Sequence, residues 1–386
     1  MFITGLDHVQ LAAPKGCEAQ ARRFFVDLLR LTDRRTRPFL RFEPAPFTAP
    51  SRELGSAAMD EQVERIREAL AKRGATLQDV KPLHGGACQE NFRVELVVNG
   101  APLRLALRSD APSSLPGSIK RRAEFAVIQA AVSAGVKTPP VRWLEHDLLR
   151  KGSDAYFLEW AQGEAIGRRV VRNPELESAR AKLPVELAQT LAKLHTVTPK
   201  TALPFTAPEG GPARSALNDL RKMLDGLPSV YPATEFAINW LAARLPSNEE
   251  TVLVHGDFRT GNFLVTPDGL SALLDWEFSH FGSPYEDLSW ISVRDWRFNR
   301  LDKPIGGFAA RAPFYEAYES ASGRKVDPQQ VLWWEICGNL RWAVGSVFQG
   351  ERYLSGEQRD LELIAIARRN VEMEFEALRL IRRGRL

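Results

Sequence analysis

Residues 252–275 read V-L-V-H-G-D-F-R-T-G-N-F-L-V-T-P-D-G-L-S-A-L-L-D. Two apolar runs, 252–254 and 263–265, flank a polar loop that carries His255, Asp257, Arg259 and Asn262. A third run, 270–274, ends on Asp275. Short apolar runs bounded by Gly and turn residues predict strands of a hairpin. The polar side chains then project from strand ends, where a rigid scaffold can aim them at one point.

Such a cluster suits phosphoryl transfer. That reaction needs a group to orient the attacking hydroxyl, ligands for Mg²⁺, and positive charge near the transferred phosphoryl. Asp257 can accept a hydroxyl proton. Asn262 and Asp275 offer the oxygen ligands that a hard cation prefers. Arg259 stays charged and so cannot be a base, but it can neutralise phosphate. In protein kinases the catalytic-loop Asp and Asn stand five positions apart, as Asp257 and Asn262 do here.

H-G-D-F-R-T-G-N at 255–262, followed by L-L-D-W-E at 273–277, resembles the aminoglycoside-phosphotransferase and choline-kinase-like family. Within it, the chain is most similar to the phosphotransferase-like domains found beside acyl-CoA dehydrogenases. The resemblance runs from Ala58 to the C-terminus. It implies an α+β, two-lobed protein-kinase-like fold, with an antiparallel sheet plus helix in the small lobe and a mostly helical large lobe. It also implies ATP and Mg²⁺ as cofactors and a hydroxylated small molecule as acceptor. Asp257 and Arg259 take the catalytic roles, and Asn262 and Asp275 the metal. Asp287, in S-P-Y-E-D-L-S-W, matches an Asp that braces the catalytic loop by hydrogen bonds.

The chain has 386 residues, enough for two or three units. Hydrophobic content of 44% and charged content of 26% are globular values. A net charge of +4 is too mild to argue for nucleic acid. Cys17, Cys88 and Cys337 are scattered and form no metal spacing, which favours a reduced, cytoplasmic setting over a disulfide framework. The N-terminus has no signal-peptide pattern, and no apolar run reaches the ~18 residues of a membrane helix. The expectation is a cytoplasmic protein, monomer or homodimer, without a membrane or nucleic-acid partner.

Residues 1–33 stand apart. G-L-D-H-V-Q-L-A-A-P reads as a strand and the Phe24/Phe25/Leu28/Leu29 stripe as a helix. Together they resemble the opening of a glyoxalase, or vicinal-oxygen-chelate, module. One histidine, His8, cannot make a metal site, so this reads as a partial module. Pro38, Pro44, Pro46 and Pro50 mark 34–58 as a linker. The stripe Val63, Ile66, Leu70 predicts a helix that Gly74 stops.

The small lobe spans 59–162. Gly85 and Gly86 lie between two strand-like runs, either cradling a phosphate or making an ordinary hairpin turn. Arg108 stands where protein kinases carry a strand Lys, and the alternative is a solvated strand-end Arg. Residues 118–134 predict a helix capped by Ser118. On that helix Glu124 is either the partner of Arg108 or a surface residue. Y-F-L-E-W-A-Q-G matches a kinase hinge, so backbone groups of Glu159 and Ala161 would meet adenine with Leu158 lining the pocket.

The large lobe spans 163–386. The stripe Leu187, Leu191, Leu194 marks a buried helix face, which makes His195 a core or capping residue. His280 has no evident partner. Beyond Trp290 the chain is rich in large aromatics, readable as substrate pocket or as core. Arg341 can bind an anionic substrate or join a surface ion pair.

The leading reading is an ATP-dependent kinase of a small-molecule hydroxyl, with a hydroxyacyl compound favoured over an aminoglycoside. The alternative is a catalytically inactive nucleotide-binding regulatory protein, motivated by Arg108 at the Lys position.

Overall fold

The structure is a computed structural model, and it describes residues 52–83, 89–110, 117–247, 249–357 and 360–386. The glyoxalase-like segment, most of the linker, and Gly85 and Gly86 lie outside the described residues. The first described element is helix α1 (Arg52–Ala71), so helix begins inside the expected linker. The physical reason is local. After Pro50 the chain has no Pro before Pro82, so nothing interrupts helical hydrogen bonding.

The small lobe is a five-stranded antiparallel sheet of order β1-β2-β3-β5-β4. Its strands are β1 (Ala75–Pro82), β2 (Gln89–Val98), β3 (Ala101–Asp110), β4 (Val141–His146) and β5 (Asp154–Glu159). Asn99 and Gly100 join β2 to β3, both at positive φ, the backbone a two-residue hairpin turn demands.

Strand alternation gives the sheet two faces. Ala155 and Phe157 pack with Ile66 and Leu70 of α1 and with Phe92, Val94, Leu105 and Leu107. Tyr156 and Leu158 turn the other way, toward Val127 and Ile128 of α2 (Arg121–Ser133) and the core of the large lobe. The α2 helix starts three residues later than the sequence suggests. Ser118 does not cap it; its hydroxyl donates to Glu277 at 3.1 Å instead.

The large lobe begins with α3 (Gly167–Arg172) and the buried helix α4 (Glu177–Leu194), whose Leu183, Leu187, Leu191 and Leu194 face the main core. Helices α5 (Pro212–Asp225) and α6 (Pro232–Ala242) pack on the long α9 (Pro328–Leu354). Four short strands follow α6: β6 (Val252–Val254), β7 (Phe263–Thr266), β8 (Gly269–Leu273) and β9 (His280–Gly282). Helices α7 (Pro284–Trp290), α8 (Arg311–Ser322), α10 (Leu361–Ala367) and α11 (Asn370–Arg383) complete the lobe. Phe314, Tyr318, Trp333 and Trp334 are plain core.

One expectation is corrected here. β6 does not pair with β7: β6 pairs with β9, and β7 with β8. The loop 255–262 is therefore a crossing between two ribbons. Periodicity identifies strands but does not choose their partners.

The lobes join at Gly163, which has φ of +144°. Its neighbour Glu164 exchanges backbone hydrogen bonds with Val265 of β7 at 2.8 and 3.0 Å. A Cβ on Gly163 would meet Leu264 Cβ and the Val265 nitrogen at 3.0 Å, both parts of a fixed ribbon. Gly163→Ala is expected to lower unfolding free energy by about 1–3 kcal/mol. Urea unfolding checks this, and a loss below about 0.5 kcal/mol would show slack between hinge and ribbon.

Candidate active site

The crossing loop is held from beneath. Asp287, on α7 and fully buried, accepts the amides of His255 at 2.7 Å and Gly256 at 3.0 Å. His195 Nε2 stands 3.3 Å from the same carboxylate, and its Nδ1 stands 2.8 Å from the Tyr318 hydroxyl. His195 is thus the core residue the leucine stripe implies, and Asp287 is the brace. Burial pushes the Asp287 carboxyl up, but hydrogen bonding and charge from His195, with the His255 contacts, leave it below its ordinary value.

Two backbone features shape the loop. Gly256 has φ of +77°, and a Cβ there would lie 2.2 Å from the Phe278 carbonyl oxygen, so only glycine fits. Asp275 holds φ of +67° without being glycine, a strained conformation of the kind that clusters at functional sites. His255 ties the two ends together. Its Nδ1 accepts the Asp257 amide at 3.2 Å, so its Nε2 carries the proton and donates to the Leu274 carbonyl at 2.8 Å. The Leu274 amide in turn donates to the Asn262 carbonyl at 2.7 Å.

Asp257 sits among donors. Asn262 Nδ2 donates to Oδ2 at 2.6 Å and to the Asp257 carbonyl at 2.9 Å. Arg259 Nε lies 3.2 Å from each carboxylate oxygen, and its guanidinium stacks on Trp296 at 4.4 Å. Trp290 Nε1 donates to Oδ1 at 2.7 Å. Asp257, Arg259 and Asn262 therefore touch one another directly.

Across the cleft, Arg108 on β3 bonds Glu124 of α2 and Asp275, both at 3.0 Å. The strand-end Arg is thus paired and not solvated. Burial lowers its pKa, yet Glu124, Tyr156 and Asp275 together hold it well above the ordinary arginine value. Arg121 bonds the other oxygen of Glu124 and reaches Glu277 at 3.4 Å. Trp276 fixes the intervening residue by donating to Thr138 at 3.0 Å.

Sequence reasoning missed Arg121, Glu277 and Trp290. The D-W-E string could have flagged Glu277, but no local pattern points to Trp290.

The hinge residues lie on and just after β5. Arg108 stands opposite Tyr156 and Ala106 opposite Leu158, so all four share the face toward the cleft. The Glu159 amide donates to Pro140 at 2.9 Å, and its side chain pairs with Arg142 at 2.9 Å. Ala161 follows two residues beyond the end of the strand. His280, expected to pack without a partner, instead meets Glu286 at 3.1 Å, and Arg341 meets Glu286 at 2.8 Å. These partners lie a helical turn or an element away, where local patterns do not reach. Among the described residues no group of three or more His, Cys, Asp or Glu could hold a metal, and no helix is long and apolar enough to cross a membrane.

Asp287→Asn is expected to cost about 2–3 kcal/mol at pH 7 by weakening charge-assisted bonds to two buried amides. The sign with pH follows from the lowered carboxyl. The stabilisation is present above the ordinary aspartate value of 3.8 and is lost as pH falls through the lower folded value. Denaturant titrations should show the variant and parent converging below pH 3.8, and a constant gap would contradict this assignment.

With this geometry established, the chain compares with known proteins as follows. The family model described as "Phosphotransferase enzyme family" matches residues 79–323. Acyl-CoA dehydrogenase family member 10 of Mus musculus is 28% identical over 64% of this chain and 23% of its own length. Family member 11 of Homo sapiens is 31% identical over 48% of this chain and 25% of its own length. The match thus spans about a quarter of these longer relatives.

Among solved structures, a choline/ethanolamine kinase family protein from Mesorhizobium loti is 20% identical, with TM-score 0.54, covering 83% of this chain and 95% of its own. A thermostable mutant of the aminoglycoside phosphotransferase APH(4)-Ia, in ternary complex with ADP and hygromycin B, is 16% identical with TM-score 0.56, covering 82% and 98%. These structures share the two-lobed kinase-like fold. The chain belongs to the phosphotransferase enzyme family.

Proposed function

We propose that this protein transfers the γ-phosphoryl group of ATP, with Mg²⁺, to a hydroxyl of a small molecule, and that a hydroxyacyl compound is the acceptor. One observation carries the reading. Arg108 of the small-lobe sheet bonds Asp275 beyond the catalytic loop, and the residue before it, Leu274, is tied by its amide to Asn262 and by its carbonyl to His255, which accepts the Asp257 amide. A nucleotide-side cation and an acceptor-side carboxylate thus belong to one connected network.

In this reading Asp257 orients the acceptor hydroxyl and takes its proton. Asn262 and Asp275 supply one amide and one carboxylate oxygen, the small protein share that Mg²⁺ takes beside phosphate. The bound ion would neutralise charge between the phosphates. Arg108, fixed by Glu124, faces phosphate, and Arg259 can turn its remaining donors to the transferred group. The hinge carbonyl of Glu159 and amide of Ala161 receive adenine, and Gly85 and Gly86 keep their assignment to the phosphate loop. Residues 59–162 and 163–386 are the two lobes.

The acceptor class rests on what flanks Asp257. Trp290, Trp296 and Trp342 follow one another at 6.1 and 6.2 Å. Arg259, Arg341 and Arg369 lie over these rings at 4.4, 5.1 and 5.7 Å. Buried Glu286 and part-buried Asp295 back Arg341 and Arg369. Partly exposed guanidiniums on indole faces favour an acyl chain with an anionic group and disfavour an ammonium such as choline's. The curated relatives' acyl-CoA dehydrogenase names point the same way.

ADP release measured across hydroxy acids, hydroxyacyl thioesters, amino alcohols and sugars tests this. Asp257→Ala is expected to reduce turnover at least about 10²-fold, and chelation of Mg²⁺ to abolish it. Nucleotide binding without turnover of any acceptor would replace this reading with a regulatory one. Preference for amino alcohols would overturn the acceptor class alone.

A further inference from the structure

Among the described residues, Asp257 has one side-chain hydrogen bond from outside its own loop. Trp290, the last residue of α7, directs its indole N–H at Oδ1 from 2.7 Å. Both residues are buried, Trp290 at 7% and Asp257 at 9% exposure. A carboxylate torsion is broad and roughly two-fold, so a single anchor leaves its plane free to turn. Asn262 anchors Oδ2 at 2.6 Å. Arg259 Nε sits 3.2 Å from both oxygens, long and shared, on a side chain with 26% exposure. Among the described residues, Oδ1 therefore has one short, buried donor, Trp290.

The indole is itself held. A Cβ on Gly338 of α9 would come within 3.3 Å of the Trp290 ring, so α9 already lies against it. Arg341 lies over the ring at 5.1 Å, Glu286 holds Arg341 at 2.8 Å, and His280 meets Glu286 at 3.1 Å. A cation over the ring face attracts π density, which makes the edge N–H a better donor. A chain of contacts thus runs from His280 on β9 through α7 and α9 to the carboxylate.

We propose that Trp290 is a positioning residue for phosphoryl transfer, holding the Asp257 carboxylate in the one orientation that meets the acceptor hydroxyl. Asn262 and Trp290 grip opposite oxygens from different elements, so the carboxylate plane is set by the fold and not by the loop alone. Misplacement of a reacting group by about 1 Å can cost on the order of 10²-fold in rate. A buried indole N–H would also seek an acceptor for its own sake. Kinetics separates the two roles. The inference rests on the reading of Asp257 as the hydroxyl-orienting residue.

The test is ADP release from ATP with whichever acceptor of the panel above, water included, the parent turns over fastest, for the parent, Trp290→Phe and Asp257→Asn. Phenylalanine keeps an aromatic ring under Arg341 and removes the donor together with part of the indole's bulk. The expected result is kcat lowered about 10- to 100-fold in Trp290→Phe, with KM for ATP unchanged within about twofold. A kcat within about twofold of the parent, while Asp257→Asn is inactive, overturns the role of Trp290 and leaves the phosphotransferase reading standing. Equal rates for the parent and Asp257→Asn overturn both. If Trp290→Phe does not fold, benzothienylalanine at position 290 supplies an isosteric ring without N–H. The same kcat criterion then decides.

Discussion

The arrangement of this protein depends on a part-buried cation. Arg108 reaches out of the small-lobe sheet and binds a carboxylate from α2 on one side and Asp275 of the large lobe on the other. Placing a guanidinium there opposes its hydration, and only adjacent negative charge offsets that cost. Glu124 is fully buried and lies between Arg108 and Arg121, so neither arginine nor glutamate is stable there without the others. Arg121 extends the network to Glu277, two residues past Asp275. The lobes are thus coupled by charge at the place where phosphate charge is read to bind, and the network pre-sets the geometry of that site.

Around this network the large lobe supplies rigidity. Asp287 turns two loop amides toward itself, and His195 and Tyr318 hold Asp287 from the core. Positive φ at Gly256 and Asp275 brings two ribbons close enough for His255 to span them. Functional side chains on a short crossing would wander if the crossing were anchored only at its ends. Here the amides of His255, Gly256, Asp257 and Asn262 and the carbonyls of Asp257 and Asn262 each have a fixed partner.

The fold is shared with enzymes that take quite different acceptors, among them one solved with hygromycin B. Difference must therefore reside in what surrounds the common loop. In this chain the surroundings are three indoles and the arginines stacked on them, contributed by the end of α7, the segment after it, α9, the residue before α11 and the loop itself. Indole faces supply apolar area, and the arginines supply directed donors whose backing carboxylates are mostly buried. The same rings reach Asp257 through Trp290, so the indole cluster and that carboxylate are one packed unit.

The sequence by itself determined the strands and which polar residues sit at their ends. Asp257 and Asn262 could be singled out by their local spacing and Asp275 by its place after a strand, and the structure brings Asn262 to Asp257 and joins Arg108 to both Glu124 and Asp275. The leucine stripe of α4 placed His195 in the core for the same reason, since periodicity is a local property. Tertiary structure alone decided which strands pair, sending β6 to β9 and making the 255–262 loop a crossing. It alone brought Trp290 to Asp257 and Glu277 to Arg121, over 33 and 156 residues of chain. Contacts of that separation are selected by how whole elements pack, and neither propensity nor spacing within a short window records that choice.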